Sequence, residues 1–95
     1  MKNQHTFKLI DGEFSSKESH EILQNVFSSK IHFHEMKNFS SQERFGKNDE
    51  CAIKRIPHLN NSLKEIIQII KEAEKNGNQI EIKSEVVISI LNKNV

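Results

Sequence analysis

His32 and His34 stand one residue apart in the segment Ile31-His-Phe-His, which alternates apolar and polar side chains. On a strand, alternate residues project from one face, so these imidazoles could share a Zn²⁺ if Glu35, Asp11, Glu13 or Cys51 supplied a third ligand. A bare His-x-His pair more often marks the polar side of a strand, so a metal site here is a third reading, behind protein and nucleic-acid binding. Cys51 could pair with one of the five histidines as a thiolate, but Asp49 and Glu50 oppose its ionisation, while a helix start near Asn48 would favour it. Asp11 and Glu13 flank Gly12 as a general acid and base pair would, and equally as turn chemistry does. The three glycines are isolated and complete no phosphate loop, so the residues call for no cofactor.

Binding chemistry concentrates between Lys30 and Arg55. Lys30, Lys37, Arg44, Lys47, Lys54 and Arg55 interleave with Phe33, Phe39 and Phe45, the residue types of a nucleic-acid surface. Glu35, Glu43, Asp49 and Glu50 dilute that face to a small net positive charge, which makes nucleic-acid binding the alternative reading. Within it, the stretch Asn38 to Asp49 reads as an irregular connection. Phe39, Arg44, Phe45 and Lys47 are its candidate protein-binding residues, because aromatics and Arg dominate interface hot spots.

The elements that must position these groups follow from periodicity. His5 to Ile10 alternates as a short strand that Asp11-Gly12 would end. Ser15 with Glu18 has capping-box spacing, and Ile22, Leu23, Val26 and Phe27 give the following helix one apolar face, with a stop expected near Ser29. Ile31 to His34 would then be a second short strand. Ser40 with Glu43 repeats the cap, so that Phe39-Ser-Ser-Gln-Glu echoes Phe14-Ser-Ser-Lys-Glu, and Gly46 closes a short turn. From Asn48 to Asn76-Gly77, apolar residues recur at threes and fours. Pro57 interrupts that run, which reads either as one long kinked helix or as two helices, the second capped at Asn61 or Ser62. Ser62 with Glu65 makes a further capping box, and a break near His58 to Asn61 is the favoured expectation. Ile80, Ile82, Val86, Ile88 and Ile90 share one parity, the mark of a long strand with one buried face. Residues 1–4 and 92–95 read as frayed ends of a single domain.

Such elements predict a small α+β fold: a two-layer sandwich with a two- or three-stranded sheet and two or three helices on one face, in the order β-α-(β)-α-α-β. If the short middle strand is absent, the first and last strands must pair directly. The apolar arc between Ile69 and Ile67 is wider than one contact surface needs, and the final strand overhangs its expected neighbour. Both features suit a homodimer through Ile69, Val87, Ser89 and Leu91.

Composition limits the function classes. The 95 residues carry 14 Lys and Arg against 13 Asp and Glu, so charge selects no polyanionic or polycationic partner. No apolar run nears the length of a membrane span, and no secretory or lipidation signature is visible. One cysteine excludes an internal disulfide and points to a reducing, cytoplasmic setting. Abundant Lys, Asn and Ile without Trp or Tyr has the skew of an AT-rich, bacterial-like genome. The leading expectation is a small non-enzymatic protein-interaction or regulatory protein whose partner is another protein or itself.

Overall fold

The computed structural model describes residues 3–92 and places four elements in the order β1 (Gln4–Phe14), α1 (Ser16–Phe45), α2 (Glu50–Lys75) and β2 (Ile80–Ser89). This is a small α+β arrangement of two helices and one two-stranded antiparallel sheet.

α1 starts where the sequence places it. The Ser15 Oγ accepts from the Glu18 N–H at 3.1 Å, and the Ser15 N–H donates back to the Glu18 carboxylate at 2.9 Å. It does not stop at Ser29. Ser19, Leu23, Phe27, Ile31, His34, Asn38 and Ser41 are buried or half-buried at spacings of three and four, so one seam runs the length of the helix. The strand expected at Ile31 to His34 is therefore helix. Its alternation is a coincidence of two faces: Ile31 turns into the seam and Phe33 outward. Ser40 lies inside the helix and caps nothing, and Gly46, at φ 68°, ends α1 itself by donating its N–H to the Gln42 carbonyl.

Asp49 caps α2, its Oδ1 accepting from the Ala52 N–H at 2.9 Å. Ala52, Ile56, Leu59, Leu63, Ile66, Ile70 and Ala73 alternate steps of four and three, the spacing of a helix packed along another. α2 runs through Pro57 without a break, so the expected third helix does not form. Pro57 sits on the exposed side, where water can reach the Ile53 carbonyl left without a helical donor, while the seam passes on the opposite side.

The strands also differ from expectation. β1 continues through Asp11-Gly12 to Phe14 and so matches β2 in length, which removes the expected overhang. A bulge at Leu9 shifts the register between Lys8 opposite Glu85 and Ile10 opposite Ser84. Gln4 already pairs with Ser89, and the Asn3 carbonyl accepts from the Ile90 N–H at 2.7 Å, so that end is not frayed from residue 3 onward. The remaining expected frayed positions, apart from Asn92, lie outside the described residues.

The helical hairpin and the ribbon diverge from a shared junction, where α1 touches both strands. Helices do not stack along the length of the sheet. The molecule measures 53 × 40 × 15 Å, its shortest dimension little more than one helix diameter of about 10–12 Å.

Candidate interaction surface

The candidate metal ligands separate. On a helix, residues two apart point about 200° from each other, so His32 faces water while His34, 6% exposed, enters the seam. Among the described residues no group of three His, Cys, Asp or Glu side chains converges. The Lys8 ammonium lies 3.2 Å from the Asp11 carboxylate, and Glu13 lies opposite Glu81 on the ribbon. Both contacts replace the expected turn. Cys51 is exposed in the first turn of α2.

His34 sits in a defined electrostatic setting. Burial lowers its pKa below the ordinary 6.5, Lys30 and Arg55 push the same way, Asp49 opposes them and Lys37 adds a smaller lowering. Its Nε2 has no hydrogen-bond partner. The Phe33 ring meets the imidazole edge-on at 5.5 Å and carries the Lys30 ammonium 4.8 Å and the Lys37 ammonium 5.9 Å from its centroid. Three cations of the Lys30 to Arg55 stretch thus gather around Phe33 and His34. Neutralising three phosphates corresponds to a log–log salt slope of about −2.7, a weak electrostatic footprint.

The protein-binding candidates do not form one patch. Residues 38–45 are helical, and only Gly46 to Asp49 connect the helices, held by Ser41 donating to the Lys47 carbonyl, Gln42 donating to Asn48, and the Asp49 N–H donating to Asn38. Phe39 and Phe45 are 56% and 69% exposed, so neither packs into the seam between the helices. They project about 120° apart around α1, with Arg44 on a third side and Lys47 in the connection.

A more continuous apolar surface lies at the inner angle between hairpin and ribbon. Leu23, Ile66, Ile69, Ile70, Ile80 and Ile82 line an open groove of about 250 Å³. Ile69, a candidate dimer residue, is 64% exposed on its wall. Paired residues share a ribbon face, so the face that begins at Phe14 with Ile80 continues through Gly12 with Ile82 and Phe7 with Val86 to His5 with Ile88. Its inner end is covered by the helices, whereas Phe7, Val86, Ile88 and Ile90 stand exposed. Parity reasoning assigned the whole β2 row to a core and so missed Phe7, Val86 and Ile88 as surface. Val87 and Ser89 occupy the opposite face, and Leu91 follows the strand, all exposed.

α1 carries a second exposed stripe. Val26, Phe33 and Met36 fall within an arc of about 80°, on average more than 90° away from the seam. The signal for it was present as two interleaved apolar periods, which a single-face reading merges. Among the described residues no helix is long and apolar enough to cross a membrane. Comparison with protein-family models, with curated proteins and with solved structures finds no match for this chain.

Proposed function

We propose that this chain is a small non-enzymatic protein-interaction protein with a regulatory or adaptor role, and that its working form is self-associated. One observation carries the reading: the mismatch between mass and shape. A 95-residue compact domain has a radius of gyration of about 12 Å, against 17.2 Å for this chain. Its accessible surface of 7867 Å² exceeds by roughly 2,000 Å² what a compact monomer of this mass exposes. That excess is larger than the roughly 800 Å² per partner of a standard stable interface. Among the described residues, fourteen large apolar side chains are exposed and four apolar residues are buried, a balance that suits a subunit better than a lone domain. The non-enzymatic part is supported by the scatter of the candidate acid, base and nucleophilic residues. The single exposed Cys51 supports a cytoplasmic setting.

Light scattering over a dilution series tests this proposal. The expected mass is a multiple of the 11.1 kDa chain. A cooperatively folded monomer at every concentration overturns it. The cation cluster around Phe33 favours a second reading, nucleic-acid binding through Lys30, Lys37 and Arg55, which predicts retention on an immobilised single strand that is lost as salt rises and on Lys30→Glu.

A further inference from the structure

We infer that the occupant of the groove is a second copy of this chain, paired antiparallel through the free edge of β2 about a two-fold axis at Ser84; this rests on the self-association proposed above. The phase of the ladder fixes which groups are free. The Ile90 N–H donates to the Asn3 carbonyl, so the even residues of β2 address β1, and the N–H and C=O groups of Glu81, Lys83, Glu85 and Val87 point away from it. They form an unpaired edge. β1 protects its own outer edge with the Leu9 bulge and Lys8, whereas Val86 to Leu91 contain neither charge nor proline. A run apolar on both faces suits an interior strand rather than an edge.

Charge and shape then choose the register. An axis at Ser84 sets Lys83 opposite the partner's Glu85, twice, and extends the Lys8–Glu85 and Asp11–Lys83 pairs into four-strand rows of alternating sign. The same register brings the partner's Val86 and Ile88 beside Ile82 and Ile80, where they enter the groove under Ile69. The exposed half of each ribbon is thus covered by the helices of the other copy. An axis at Val86 sets Lys83 opposite Ser89 and Glu85 opposite Val87, and an axis at Ile88 sets Glu85 opposite Leu91 and carries Lys83 past the end of the strand, so neither pairs the two charges. The contact is isologous and closes at two chains.

Ser84 faces its own copy across a non-hydrogen-bonded pair, with Cα atoms about 4.5 Å apart, inside the range a disulfide spans. In a Cys51→Ser background, Ser84→Cys should therefore oxidise to a covalent dimer faster than Val86→Cys or Ile88→Cys. Val87→Pro removes an outward N–H and leaves the β1 ladder intact, so its mass should fall to that of one chain with its helical circular dichroism retained. Faster cross-linking at Val86→Cys or Ile88→Cys overturns the register. Full parental mass in a folded Val87→Pro overturns the edge; should that variant unfold, the cysteine rates decide alone. In each of these cases a multimeric parent keeps the self-association reading, whereas a monomeric parent overturns both.

Discussion

His34 is the one ionisable side chain buried in the helical seam, and its protonation couples to folding. With its pKa lowered in the folded state by burial, by Lys30 and Arg55 and by the smaller push of Lys37, only partly offset by Asp49, the unfolded chain binds the proton more readily. Stability is full above the ordinary 6.5 and falls as pH drops below it. Thermal midpoints between pH 7 and 5 should decline in the parent and decline less in His34→Leu, which removes both the titration and the unpartnered Nε2. At this scale the sequence was legible where chemistry is local. Ser15 with Glu18, and the stops at Gly46 and Asn76-Gly77, depend on neighbours within a few residues. His32 and His34 misled because two apolar residues cannot distinguish a period of 2 from one of 3.6, and the partner helix decides which side is buried.

Elements show where tertiary contact overrides a local signal. Pro57 costs α2 a hydrogen bond, yet Ile56, Leu59 and Leu63 keep the seam continuous on either side, and packing outweighs the break. Pro57→Ala should therefore raise the unfolding free energy by about 1–3 kcal/mol in urea titration, the lower figure reflecting the freer unfolded chain. In the ribbon, Glu13 lies opposite Glu81 on one face. Glu13→Lys should stabilise it by about 0.2–1 kcal/mol, and the same titration measures it. Direct pairing of the first and last strands was legible once the middle strand was set aside. The strand ending at Asp11-Gly12 was not, since that dipeptide signals a turn only when the chain reverses, and here Gly12 lies mid-strand opposite Ile82.

At the scale of the molecule, a chain 53 Å long and 15 Å thick leaves fourteen large apolar side chains exposed among the described residues, and the self-association proposed above would cover part of them. Its thermal midpoint should rise by about 3–5 °C per tenfold increase in protein concentration, as expected when unfolding includes dissociation. A midpoint independent of concentration is the result for a monomer. This level was the least legible in the sequence. Periodicity marks an apolar face and not how far the helices of this fold reach along it, so Val86 and Ile88 read as core beside Ile80 and Ile82. Of the candidate set, Ile69 lies on the groove wall, Val87 and Ser89 lie on the ribbon face opposite Val86 and Ile88, and Leu91 follows the strand.

The two strands of the ribbon are joined by the whole helical hairpin, which sets an order of events in folding. Closing so long a span as flexible chain would cost roughly 4 kcal/mol of entropy, whereas a formed hairpin already brings the end of β1 and the start of β2 together. Helix pairing should therefore precede ribbon pairing. In stopped-flow refolding, the helical signal should recover in a fast phase that is indifferent to protein concentration, with amide protection of Val86 and Ile88 arriving later.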